Sequence, residues 1–400
     1  MSEEKTVVAI LTLKKHQDGV WIKRLVLALE KIATEPTSAV ALPKEIRVVA
    51  LEDYLKGPLN ISDGSSLNSN NWCCLVNRVS DAAEPWQVKA CLAVLQLTKS
   101  VWKIPIVNGP DAYSFCTNKW CHHILFQQAN LASPNTVAGM ACTGTHQSAL
   151  ENKCLAMLYK LQDRKSSEPP LHDYLVKPNA GGFGAGIERH QAPVILPEPS
   201  DPNTTTNKSP DSLSEATNYS DKMVIFQQYV NARDDKTYRV WFLDGKVQCA
   251  VERSIDSLSS SQLSSSIASN AQREQQPLST HNFTTEFTSG CAGGTCARPR
   301  EPVKATSFQL WEVPDSVRRE IEVQLLPRLP ADAHCGSIEF LYSSSSEEFN
   351  KGENVRLYFD LNLLSTLPII DTNTTAKNDN EDPWMQLAES IWNFTDCSCA

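Results

Sequence analysis

The sequence predicts an α/β layer architecture, a parallel sheet covered by helices, followed by a region of closely spaced strand-like runs. Three observations carry that expectation. Short apolar, β-branched runs alternate with stretches of helical spacing over the first hundred or so residues, as strands joined by crossover helices do. Beyond Asn108-Gly109-Pro110 the strand-like runs lie close together, and two of them meet at Asp244-Gly245, a strong hairpin signal. Hydrophobic residues make up 41% of the 400, enough for the cores of more than one domain.

The elements follow in order. Residues 5–13 (KTVVAILTL) form a continuous apolar run of strand length. Residues 18–33 carry Ile22, Leu25, Val26, Leu29 and Ile32 on one helical face. Second and third strands are expected at 46–51 and 72–78, then a helix with Pro85 in its first turn and Val88, Cys91, Leu92 and Leu95 on one side. Proline suits that first turn because no intrahelical bond needs its missing N–H. A strand at 104–108 ends this layer. Thr117 is placed to cap a helix bearing Trp120, Ile124 and Leu125 that ends near Ser133-Pro134. A further helix at 147–163 presents Leu150, Cys154, Leu155, Leu158 and Leu161. Strands are expected at 172–178, 223–230, 237–244, 246–253, 335–341 and 356–362, and a last helix has Trp384, Leu387, Ile391 and Phe394 on one side. The polar segments 191–222, 254–280, 343–354 and 371–382 read as mobile insertions, with too little apolar surface to repay ordering. The expected domains are 1–110, 111–253, 254–370 and 371–400.

Composition limits the function. Lys and Arg total 37 against 46 Asp and Glu, a net charge of −9, which argues against nucleic acid as the main partner. No apolar run is long enough to span a membrane, and the opening MSEEK lacks a signal-peptide profile. The 13 cysteines include no CxxC and read as reduced thiols. The expected location is the cytoplasm.

Chemistry concentrates in a few places. Lys177 is followed by Gly181, Gly182, Gly184 and Gly186. Such glycines let backbone N–H groups turn toward an anion, although a glycine cluster alone is also an ordinary turn. The lysine precedes the loop, so the pattern is not GxxxxGK[ST]. In Asp360-Leu361-Asn362, strand alternation sets the two polar side chains on one face about 7 Å apart, where their oxygens can share a hard cation. Glu339 lies among core residues on a neighbouring strand. An unpaired buried carboxylate is costly, so it is either a ligand or a structural partner of an arginine. Arg239 and Arg253 can clamp a phosphate or balance Glu339 and Asp360.

These features occur in a fixed order: a strand lysine and glycine loop, Gln227-Gln228-Tyr229-Val230, the YRV…DGKV…ER hairpin, then IEF and FDLN. The order resembles the nucleotide-binding core of the ATP-grasp superfamily, in particular RimK/LysX-type carboxylate–amine ligases, from about Trp72 to Pro368. LVNRVS (75–80) is similar to the arginine-bearing strand end of that family, and the segment from Pro105 to Val137 to its "N…DK…L…PxT" pattern. The resemblance implies a pre-ATP-grasp α/β domain followed by a two-lobed α+β ATP-grasp fold. It implies that Lys119 and Lys177 contact ATP phosphates, that the four glycines cover them, and that Gln227, Gln228, Tyr229 and Val230 form the adenine hinge. Glu339, Asp360 and Asn362 would hold two Mg²⁺ (or Mn²⁺), and Arg239 and Arg253 would face the phosphates or acyl group. Arg78, Gly293 and Gly294 would lie on the substrate side. The family usually has Glu-x-Asn where this chain has Asp360-Leu361-Asn362, and an arginine where it has Thr288; Thr237 also stands where relatives often have Asp. The implied reaction is ATP-dependent ligation of a small-molecule or peptide carboxylate to an amine through an acyl-phosphate. A small-metabolite kinase and a nucleotide-binding protein without turnover are the alternatives.

Overall fold

The computed structural model describes residues 6–34, 44–56, 72–80, 83–140, 146–163, 173–180, 187–191, 223–255, 309–343, 355–365, 367 and 382–396. The glycine cluster at 181–186, Thr288, Gly293, Gly294 and nearly all of the four polar segments lie outside them.

Strands β1 (Thr6–Thr12), β2 (Lys44–Ala50), β3 (Trp72–Asn77) and β4 (Ile106–Val107) form a parallel sheet in the order β2-β1-β3-β4. β1 is buried from Val7 to Thr12, as a central parallel strand covered on both faces must be. Val8 and Ile10 pack with Leu25 and Leu29 of α1 (Val20–Thr34) and with Trp384 and Ile391 of the C-terminal helix (Pro383–Asp396). On that side the rings of Trp21 and Trp384 meet edge-on, 5.5 Å between centroids. Val7, Ala9 and Leu11 pack on the other side with Leu51 of α2 (Leu51–Lys56) and with Cys91 and Leu95 of α3 (Pro85–Leu97). Glu84 and Gln87 cap α3 reciprocally, with Pro85 in its first turn.

Three local expectations are corrected. Leu51 does not end a strand but opens α2, because its side chain completes the core under β1. The strand expected at 104–108 is only Ile106–Val107. Thr117 ends α4 (Pro110–Cys116), and Asn118 caps α5 (Lys119–Gln128), its extended backbone letting the side-chain oxygen accept from Cys121 N at 3.1 Å. α2 and α4 are too short to show a helical period.

The second sheet is antiparallel, with β5 (Thr136–Met140), β6 (Asp173–Pro178), β7 (Glu188–Gln191) and β8 (Met223–Gln228) in the order β5-β8-β6-β7. One face, with Val137, Val176 and Phe226, packs on Cys154, Leu155 and Leu158 of α6 (His146–Asp163). Alternation turns Thr136, Lys177 and Gln227 to the other face.

The third sheet runs β11-β10-β9-β12-β13 and is antiparallel. Its strands are β9 (Lys236–Leu243), β10 (Lys246–Ser254), β11 (Gln309–Leu310), β12 (Cys335–Tyr342) and β13 (Arg356–Asn362). The β9–β10 turn has Asp244 at φ 45° and Gly245 at φ 77°, the paired left-handed residues a two-residue hairpin needs. Val240, Phe242, Ile338, Phe340, Tyr358 and Leu361 enter the same core as β1 and α3, along with Val317 of α7 (Asp315–Arg319).

Asn108 joins the first sheet to the third. It is 1% exposed and left-handed at φ 55°, a conformation asparagine tolerates. Its amide nitrogen donates to the carbonyls of Cys335 and Leu363, and its oxygen accepts from His334 N at 3.0 Å and Cys335 N at 3.2 Å. An Asn108→Ala variant strands these buried groups, so a loss of about 3 kcal/mol in unfolding free energy is expected from urea titration.

Candidate functional site

Glu339 of β12 lies opposite Arg239 of β9 on one side and Asp360 of β13 on the other. The three form one row across adjacent strands. A bulge in β13 makes the row possible: Glu339 pairs with Asp360 while the next residue, Phe340, pairs with Tyr358, leaving Phe359 as the extra residue. Tyr358 and Leu361 both serve the main core. The odd residue between them puts Asp360 on the opposite face, beside Glu339. Val251 of β10 faces Arg239, so Arg253, two residues on, shares this face.

The Arg239 guanidinium donates to Glu339 Oε1. Glu339 is 3% exposed, and burial raises its carboxyl pKa. Arg239 pulls it down, Asp360 pushes it back up, and Arg253 is near enough to pull as well. Burial also opposes charge on Asp360, but His122, Lys119 and Lys177 outweigh it and hold that carboxyl well below the usual range. His122 Nδ1 lies 3.4 Å from Asp360 Oδ1.

α5 and the second sheet bring the lysines. Lys119 is the first residue of α5. Its backbone N donates to Asn179 O at 3.1 Å, and Trp120 N donates to Asn179 Oδ1 at 2.8 Å, so the turn after β6 satisfies the open end of the helix. Lys177 is 6% exposed, and its ammonium donates to Gln227 Oε1 at 2.9 Å. Gln227 Nε2 donates in turn to Thr136 Oγ1 at 2.9 Å. Burial lowers the Lys177 pKa to about 8; the attraction of Asp360 and Glu339 opposes the shift and the repulsion of Lys119 adds to it. A buried ammonium beside a second cation is electrostatically unsatisfied toward anions.

The other sequence-predicted residues are placed as follows. Gln227 and Gln228 end β8: Gln227 Oε1 accepts from Lys177, and Gln228 Oε1 accepts from Asn135 Nδ2 at 2.9 Å. Tyr229 N donates to Asp173 O at 3.0 Å, and its ring lies 3.7 Å under the Arg189 guanidinium. Val230 packs with Ala232, Leu341 and Phe359. Asn362 Oδ1 accepts from Leu364 N at 2.9 Å and so fixes the turn leaving β13. Arg78 is buried behind that turn, donating to Leu364 O at 2.8 Å and stacking on Trp21 at 3.5 Å, with burial lowering its pKa to about 10.

His122 was not among the sequence candidates. Its signal was helical spacing: three residues after Lys119, it shares that residue's face of α5. Among the described residues no group of three or more His, Cys, Asp and Glu forms a metal cage, and no helix is long and apolar enough to cross a membrane. Glu339, Asp360 and Asn362 offer an all-oxygen donor set on one face, with two opposed carboxylates. That chemistry fits a hard divalent cation.

No protein-family model matches the sequence, and no curated protein matches it either. Solved structures do. A D-alanyl-alanine synthetase A from Vibrio cholerae is similar at a TM-score of 0.56 and 12% identity, covering 98% of this chain and 99% of that one. The D-cycloserine synthetase DcsG is similar at 0.52 and 13%, covering 96% and 99%. The ATP-grasp ligase PsnB, in complex with a minimal precursor, is similar at 0.52 and 12%, covering 98% and 100%. At such identities the likeness speaks for the fold. The described residues share the fold of these structures, an ATP-grasp ligase among them.

Proposed function

We propose that the protein is a RimK/LysX-type ATP-grasp ligase that joins a carboxylate to an amine with hydrolysis of ATP to ADP and phosphate. One observation carries the reading: the buried, partly neutralised Lys177 ammonium of the second sheet comes within electrostatic reach of Lys119, Asp360 and Glu339. Two cations and two carboxylates from separate elements suit a polyphosphate bound with a hard metal.

In this reading Lys119 and Lys177 hold phosphate oxygens, and the loop bearing Gly181, Gly182, Gly184 and Gly186 covers them and excludes water. Backbone groups of Gln228, Tyr229 and Val230 face adenine, while Gln227 fixes Lys177 from below. Glu339, Asp360 and Asn362 hold Mg²⁺, or Mn²⁺ in its place, which when bound offsets charge on the phosphates. Arg239 anchors Glu339, and Arg253 beside it faces the transferring phosphoryl or acyl group. Arg78, Gly293 and Gly294 lie on the carboxylate-substrate side. A carboxylate is a poor electrophile, so it first takes the γ-phosphoryl group and the amine then displaces phosphate. Such transfer depends on positioning and charge neutralisation.

The test is phosphate release by the purified protein with ATP, Mg²⁺ and pools of amino acids, peptides and small carboxylic acids. A ligase releases ADP and free phosphate only when both acceptors are present. ADP without free phosphate identifies a kinase, and neither product identifies a binding protein. Lys177 adds a pH signature. Its ammonium loses its proton as pH rises through about 8, whereas an anionic ligand binds the protonated form. Nucleotide affinity is therefore expected to fall above pH 8, by up to about tenfold per unit. Lys177→Ala should bind more weakly at pH 7 and lose this dependence, as calorimetry at several pH values would show.

A further inference from the structure

We propose that His122 is a positioning residue for the Asp360 carboxylate, fixing one oxygen and leaving the other for a metal ion; the proposal rests on the ATP-site reading above. His122 is 2% exposed. Neither ring nitrogen has a hydrogen-bond partner among the described residues, and Asp360 Oδ1 stands 3.4 Å from Nδ1. A buried imidazole with no bond made is costly unless its environment supplies one. At 3.4 Å the contact is open and beyond a normal bond length.

Packing fixes the ring independently of Asp360. Its centroid lies 5.5 Å from that of Phe115, at 36°. Four residues along α5, Phe126 packs on Tyr358 with centroids 5.9 Å apart. The helix thus runs beside the edge strand β13, meeting Asp360 through His122 and Tyr358 through Phe126. The bulge that turns Asp360 away from the core brings it beside the imidazole. Glu339 already has a guanidinium on Oε1, whereas Asp360 has His122 Nδ1 at 3.4 Å and the longer-range attraction of Lys119 and Lys177. An Nδ1–H donor orients the carboxylate that a divalent cation needs. Residues that orient a ligand in this way commonly govern about 10–100-fold in metal affinity.

The probe is Mn²⁺ with ADP, followed by electron paramagnetic resonance on the full chain and on the His122→Ala, His122→Asn and His122→Gln variants, with circular dichroism to compare folds. Asparagine can set an amide N–H where Nδ1 stands; glutamine reaches toward Nε2 instead. The expected result is Mn²⁺ binding weakened about tenfold or more in His122→Ala, restored to within about threefold in His122→Asn and left weak in His122→Gln. Wild-type affinity in His122→Ala, or equal affinity in the Asn and Gln variants, overturns the proposal while leaving the ATP-site reading intact. If His122→Ala fails to fold, the Asn–Gln comparison decides alone. Absence of Mn²⁺–ADP binding by the unaltered protein overturns the site reading, and this proposal with it.

Discussion

An Asp360→Asn variant is expected to lose ATP-dependent phosphate release by on the order of a hundredfold or more while retaining its circular dichroism spectrum. The substitution keeps size and shape, so the strand register and the bulge at Phe359 have no reason to change. What it removes is a charge that burial opposes and that His122, Lys119 and Lys177 sustain. Two consequences follow from one atom. The oxygen set formed with Glu339 and Asn362 loses half of its negative charge, which weakens a hard divalent cation. Lys177 also loses the attraction that most opposes its burial, so its pKa falls below 8 and less of it is charged at neutral pH. Metal and nucleotide affinity should therefore fall together, and calorimetry with ADP in the presence and absence of Mg²⁺ separates the two losses.

The second large effect concerns stability. Truncating Glu339 to alanine leaves the Arg239 guanidinium buried beside Val251 and Arg253 without its carboxylate, and a loss of about 3–5 kcal/mol in unfolding free energy is expected. Glu339→Gln should be much milder. Its amide oxygen still accepts from Arg239, and the substitution removes the repulsion between Glu339 and Asp360. That variant should remain folded in urea titrations yet lose metal-dependent phosphate release. If Gln and Ala cost the same stability, the hydrogen bond to Arg239 is not what holds the row together.

Much of the fold was legible because each layer has a plain period. The apolar run at Val7–Leu11 has the length and branched residues of a covered strand, and Asp244-Gly245 can adopt the left-handed pair its hairpin requires. The C-terminal helix showed its buried side through Trp384, Leu387 and Ile391, which pack with α1 and the first sheet. α2 and α4 span too few turns to show a pattern, and β5 has Ala138 and Gly139 where a strand would advertise branched residues.

The site was readable in its charged residues and less so in their surroundings. Simple alternation places Asp360 and Asn362 together, but it would also place Tyr358 with them. Only the bulge at Phe359 separates the core tyrosine from the carboxylate beside Glu339, and nothing in Arg356–Asn362 marks an extra residue. Gln227 was singled out for its place in the segment Gln227-Gln228-Tyr229-Val230, and nothing in that segment announces that its side chain bonds Lys177. His122 sits in an aromatic helix beside His123, where a histidine reads as core packing. Its significance comes from a strand more than two hundred residues away in sequence.

On the reading proposed above, Lys119, Lys177, Glu339 and Asp360, drawn from α5 and the second and third sheets, together bind a metal–polyphosphate. Calorimetric titration of the purified protein with a non-hydrolysable ATP analogue, with and without Mg²⁺, tests it most directly. Saturable binding at one site per chain that weakens sharply when Mg²⁺ is removed is the predicted result. Heats no greater than dilution, or binding indifferent to Mg²⁺, would contradict it.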